Sequence, residues 1–149
     1  MVLPHRTAVL PDSELRRYAR HLMLPGAGLE GQQRLKAARV LVVGMGGLGC
    51  PALTYLAASG VGTIGVIDDD TVEATNLQRQ VIHTDARIGM PKVFSAEAAM
   101  KAINPFVTVR PYHRRLTPEI AEELVGEYDI VLDGCDDLDT RYVLNAACA

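Results

Sequence analysis

Apolar positions along the chain follow two different spacings, and they take turns. The segments 38–44 (ARVLVVG), 63–68 (TIGVID) and 129–133 (DIVLD) are short, nearly continuous apolar runs rich in valine and isoleucine. That is the pattern of strands buried on both faces. Segment 106–113 (FVTVRPYH), third in chain order, is a more polar strand. Between and around them lie stretches with helical spacing. These are 12–22 (DSELRRYARHL), 29–38 (LEGQQRLKAA), 48–59 (LGCPALTYLAAS), 91–104, 118–128 (PEIAEELVGEY) and a last one from 140. Asp12 or Ser13 is available to cap the first, LPGAG separates the first two, and Pro118 after Thr117 opens the fifth. Pro51 falls in the first turn of its helix, where amides lack helical partners. Strand and helix in alternation predict an α/β, Rossmann-like fold. Its mostly parallel sheet has flanking helices and is preceded by two N-terminal helices. Residues 1–37 form the helical segment and 38–149 the core of one domain.

Such sheets bind ligands at the carboxyl ends of their strands, and the first such end carries GMGGLGC, residues 44–50. Gly44, Gly46 and Gly49 satisfy G-x-G-x-x-G, which supplies a tight turn, close backbone approach to a phosphate, and close helix-on-strand packing. The helix amides after Gly47 point at the anion. Asp68 ends the second strand, 24 residues beyond Gly44, where an acid can accept from ribose hydroxyls. An ordinary NAD-binding oxidoreductase would need nothing more. Here Asn76, Arg79, Gln80 and Lys92 follow closely. Hydride transfer has no use for such a cluster, whereas displacement at the α-phosphate of ATP does, because negative charge grows on the phosphoryl oxygens and on departing pyrophosphate.

Composition narrows the partners. A formal charge of −3 recruits neither nucleic acid nor anionic membrane, and 48% hydrophobic residues suffice for a core. The stretch MVLPHRTAVLPD lacks the unbroken apolar run of a leader, and no segment approaches membrane-spanning length. A cytoplasmic protein is expected. Cys50, Cys135 and Cys148 form neither a C-x-x-C pair nor an even framework and read as reduced and structural. The four histidines lack ligand spacing, and His83 reads as a packing or hydrogen-bonding residue.

Taken together, RYARHLMLP, LEGQQRLKAARVLVVGMGGLG, GVGTIGVIDDDTVEATNLQRQVIHTDARIGMPK, INP and DIVLDGCDDLDTRYVLNAAC resemble the adenylylation domain of the ubiquitin-activating superfamily. The likeness is to the branch of ThiF and molybdopterin-synthase adenylyltransferase (MoeB), and runs from about Arg17 to the last residue. It implies an enzyme that uses ATP and Mg2+ to adenylylate the C-terminal glycine of a ubiquitin-like sulfur-carrier protein ending in Gly-Gly, working as a homodimer. It assigns Gly44, Gly46 and Gly49 to the phosphate loop, Asp68 to the ribose, and Asn76, Arg79 and Lys92 to the phosphates with Gln80 beside them. Gly47, Asp70 and Asp137 join the nucleotide-binding set. Arg20 matches an arginine that reaches ATP across a dimer interface, and Asp136 an aspartate associated with magnesium. Two departures stand out. Asp137 occupies a position usually held by Asn, adding negative charge beside the metal. The chain ends at Ala149, where family members continue into further strands and C-x-x-C zinc ligands. The carboxy-terminal half of the family fold is therefore expected to be absent, and zinc with it. A nucleotide-binding but catalytically incomplete fragment is the alternative reading.

Overall fold

Valine-rich runs form strands because branched side chains pack well on a pleated surface, and the first run does so as β1 (Arg39–Val43) at the centre of the sheet. The computed structural model describes residues 6–149; the first five residues of the stretch compared with a leader lie outside the described residues. In chain order the elements are α1 (Asp12–Arg17), α2 (Ala19–Leu22), α3 (Gly28–Ala37), β1, α4 (Gly49–Ser59), β2 (Thr63–Ile67), α5 (Lys92–Ile103), β3 (Thr108–Tyr112), α6 (Pro118–Gly126), β4 (Ile130–Asp133) and α7 (Leu138–Cys148). Two short 3-10 turns, Ala74–Asn76 and Asp85–Arg87, lie between β2 and α5.

The four strands run parallel in the order β3-β2-β1-β4. Side chains of β1 alternate between two cores, as the period of two requires. Val40 and Val42 pack with Ile64, Val66, Leu53, Val93 and Met100, beneath α4 and α5. Leu41 and Val43 pack with Ile67, Leu116, Leu124 and Leu144, beneath α6 and α7. Each such side chain contributes about 1.5–3 kcal/mol by leaving water. The register pairs Val43 with Ile67 on one side and Asp133 on the other, so the loops after β1, β2 and β4 leave the sheet at one level.

The predicted helix over 12–22 is divided. Tyr18 leaves helical geometry at φ −97°, ψ 15°, and its buried hydroxyl accepts from Asn104 Nδ2 at 2.7 Å, while its ring lies where a side chain on Gly60 would collide. That tertiary anchoring overrides local helix propensity. Neither Asp12 nor Ser13 caps α1: the cap residue is Pro11, whose carbonyl accepts from the Glu14 and Leu15 amides. Gln32 then ties the helices together, donating to Ser59 O at 2.8 Å and pairing with His21 Nδ1 at 2.9 Å. Among the described residues no helix is long and apolar enough to cross a membrane.

Candidate active site

The carboxyl ends of the strands open into a cleft of about 640 Å³ lined from every strand end. From the sequence-predicted set it collects Gly44, Gly46, Gly47, Asp68, Asp70, Asn76, Arg79, Gln80, Lys92, Asp136 and Asp137. Gly49 lies just behind it. Arg20, exposed on α2, is not among the lining residues.

Each loop glycine meets a different constraint. Gly44 holds φ +89°, a conformation costly for side chains, and a Cβ there would stand 2.9 Å from Gly134 O. Gly49 packs so closely on Gly44 O that any Cβ would overlap it. Gly46 is different: a Cβ would meet nothing within 4 Å. No neighbour among the described residues explains that glycine, but a ligand approaching the backbone would.

Asp68 supports the loop from β2. Its Oδ2 accepts from Met45 N at 2.6 Å and its Oδ1 from Asp70 N at 2.8 Å, which leaves each oxygen a further lone pair. Lys92 opens α5 and is only 5% exposed, yet its ammonium reaches Asp70 Oδ2 at 2.7 Å, with Asp70 itself largely in solvent. Arg79 lays its aliphatic stem beside Gly47, 3.7 Å from where a Cβ would stand, and donates to Thr75 O and Gln78 Oε1. No carboxylate of the described residues pairs with its guanidinium. Gln80 is 3% exposed and its Oε1 has no hydrogen-bond partner among the described residues. A buried acceptor left unpaired costs about 1–3 kcal/mol, and the residue that bears it lines the cleft.

Asp137 does something the spacing did not indicate. It caps α7, accepting from Thr140 N at 3.0 Å and Thr140 Oγ1 at 2.6 Å, and it pairs with Arg115 at 2.8 Å. Those Thr140 hydrogen bonds, with Arg115 in support, pull its pKa down to about 2. The extra negative charge expected at this position is thus taken up by a helix terminus and an arginine. Asp136, next to it, is exposed and makes no side-chain contact of this kind among the described residues.

Sequence reasoning missed Arg114, Arg115, Thr140 and Arg141, all on the cleft wall. The signal was HRRL directly after the third strand, whose exit faces the same cleft. Arg141 donates to Cys135 O at 2.8 Å and shapes the turn after β4. Cys135 donates to Asp133 Oδ1, and burial followed by that carboxylate pushes its thiol pKa up. Burial likewise lifts Cys50 to about 11. Neither is a thiolate near neutral pH. Asp68, Asp69 and Asp70 bring carboxylate oxygens within 4.8 Å of one another and are the only metal-ligand grouping of three or more among the described residues.

A family profile matches residues 18–149 of this chain. The chain belongs to the ThiF family. Among relatives of this ThiF domain, the probable adenylyltransferase/sulfurtransferase MoeZ of Mycobacterium tuberculosis is 53% identical over 140 residues, which is 94% of this chain and 36% of that protein. The adenylyltransferase and sulfurtransferase MOCS3 of Bos taurus is 54% identical over 146 residues, 98% of this chain and 32% of that protein. The chain spans about a third of the length of these curated relatives. Of solved structures, E. coli tRNA N6-threonylcarbamoyladenosine dehydratase TcdA in complex with ATP superposes with a TM-score of 0.89 at 30% identity, covering 95% of this chain and 58% of that one. E. coli MccB with AMPCPP and MccA gives 0.78 at 30% identity, covering 91% and 41%. The Rossmann-like reading of the ThiF fold and the family resemblance both hold.

Proposed function

We propose that the cleft binds ATP and that the protein adenylylates the C-terminal glycine of a ubiquitin-like sulfur-carrier protein, releasing pyrophosphate. The observation that carries this reading is Arg79, whose guanidinium has no carboxylate partner among the described residues and whose stem is held against Gly47 of the glycine loop. A cation placed there answers charge on phosphoryl groups. Nicotinamide chemistry gives it no work. The ATP complex of TcdA and the adenylyltransferase names of MoeZ and MOCS3 support the same direction.

In this mechanism the triphosphate lies on the Gly46 and Gly47 amides, at the positive end of α4. Asp68 holds the ribose, and Gln80 lies beside the phosphate-contacting residues on the cleft wall. The carrier's terminal carboxylate attacks the α-phosphorus, the bond from that phosphorus to the bridging oxygen breaks, and pyrophosphate leaves with the electron pair. No protein nucleophile or proton transfer is required. Arg79 and Lys92 attract the charge that develops on the leaving pyrophosphate, and Lys92 trades Asp70 for phosphate oxygens as it does so. Asn76 and Asp137 line the path. The exposed carboxylate of Asp136, on the cleft wall, offers the oxygen donors that a hard cation prefers. Asp136 would hold Mg2+ there, and the ion would supply charge neutralisation on the phosphates. Arg20, which stands outside its own chain's cleft, completes the site of a second copy in a homodimer. The cytoplasm provides both ATP and reduced thiols, which suits the free Cys50, Cys135 and Cys148. Residues 1–37 and 38–149 act as one adenylylation domain.

Pyrophosphate exchange into ATP tests this reading. Exchange that depends on a carrier ending in Gly-Gly, and is lost when the two glycines are deleted, is the expected result. Exchange indifferent to the carrier's terminus would rule the substrate out.

A further inference from the structure

Met45 stands between the first two glycines of the loop, and its side chain is fully buried. Its backbone is gripped from both sides. The N–H donates to Asp68 Oδ2, and the C=O accepts from Cys50 Sγ at 3.1 Å and from His83 Nε2 at 3.3 Å. A carbonyl can only accept, so the proton of the neutral His83 ring is on Nε2. Nδ1 is then an acceptor, and the fully buried Ser95 hydroxyl donates to it at 2.9 Å. Burial, with the charge of Lys92 in support, lowers the pKa of His83, which keeps the ring neutral.

Peptide geometry carries the consequence outward. In a trans peptide the C=O of one residue and the N–H of the next point in opposite directions, and no peptide bond of the described residues is cis. Met45 O, turned inward onto His83 and Cys50, therefore turns Gly46 N–H toward the cleft that Gly46 lines. That amide donates to no other described residue.

We infer that His83 is a positioning residue: held by Ser95 in its Nε2–H tautomer, it fixes the Met45–Gly46 peptide so that the Gly46 amide faces the nucleotide phosphates. The inference rests on the reading of the cleft as an ATP site, and it extends that site to a buried residue that touches no ligand. A histidine that merely fills the core would support adenosine and ATP binding equally, because it would act on the fold as a whole. A histidine that aims the Gly46 amide acts only on ligands that carry phosphate.

The test compares ATP and adenosine binding by calorimetric titration for the wild type, His83→Phe, His83→Asn and Ser95→Ala, with melting curves for each. His83→Phe keeps an aromatic ring without a donor and is expected to weaken ATP roughly tenfold, the scale of one hydrogen bond to a charged group, while adenosine affinity stays within about twofold. Ser95→Ala, which keeps the ring and frees its tautomer, shifts the ratio in the same direction. His83→Asn restores part of the loss through its amide. If His83→Phe does not fold, Ser95→Ala decides. An ATP-to-adenosine ratio unchanged from wild type overturns the inference while leaving the ATP site intact. A wild-type chain that does not bind ATP overturns the site reading, and this inference with it.

Discussion

At the scale of single residues, three glycines of one motif answer to three different masters, and substitution separates them. Gly49→Ala should destabilise the fold by about 1–3 kcal/mol, the cost of overpacking, because its Cβ would overlap Gly44 O. Gly46→Ala has open space on its Cβ side, so its melting temperature should stay near wild type while ATP affinity falls. Calorimetric titration and thermal melting on both variants read this directly; loss of stability in Gly46→Ala with ATP binding retained would reverse the assignment. Under the proposed mechanism, in which the guanidinium acts on charge that develops during the reaction, Arg79→Ala should lower turnover roughly a hundredfold, or about 3 kcal/mol, with a far smaller change in ATP affinity. Steady-state kinetics showing the loss in KM alone would make Arg79 a binding residue only. The placement of the loop glycines and Asp68 was legible in the sequence because they directly follow strand ends, while Arg79 and Lys92 were singled out by their charge soon after Asp68, and the structure puts both on the cleft wall. The unpaired Gln80 Oε1 and the burial of Lys92 were not, since both depend on packing between segments distant in sequence.

Elements were legible where one local rule decided them. Valine runs gave strands, Pro118 marked the first position of α6, and Gly60 ends α4 in a left-handed conformation at φ +84°. The break at Tyr18 was hidden because its cause, a hydrogen bond from Asn104, arrives from 86 residues away. The role of Asp137 was hidden for a similar reason. Its partner Arg115 approaches from the segment after β3, across the width of the sheet from β4. The carboxylate, held first by the Thr140 hydrogen bonds and then by Arg115, makes a pH prediction. The carboxyl pKa is depressed from 3.8 to about 2 in the folded chain, so the stabilisation is fully present above about pH 4 and is lost as pH falls through 2. Asp137→Asn keeps a capping side chain but removes the charge facing Arg115. Its melting temperature should fall below wild type at neutral pH, and the gap should close toward pH 2. A gap independent of pH would mean that the charge of Asp137 adds nothing to the cap or to the Arg115 pair.

For the whole molecule, the parallel order β3-β2-β1-β4 gathers groups from four separate loops over the sheet's carboxyl edge, and Arg20 is left outside that gathering. If Arg20 completes a neighbour's cleft, Arg20→Ala and Arg79→Ala chains should each be nearly inactive alone and recover part of the activity when mixed, because one hybrid site carries both arginines. Mixed dimers with no recovered activity would place Arg20 outside the reaction. The central claim is that this cleft directs a carboxylate to the α-phosphorus of ATP, and phosphorus NMR of the reaction products tests it most directly. With a Gly-Gly carrier present, the account predicts pyrophosphate together with AMP linked to the carrier or released from it. Formation of ADP and inorganic phosphate would place attack at the γ-phosphorus and contradict the account.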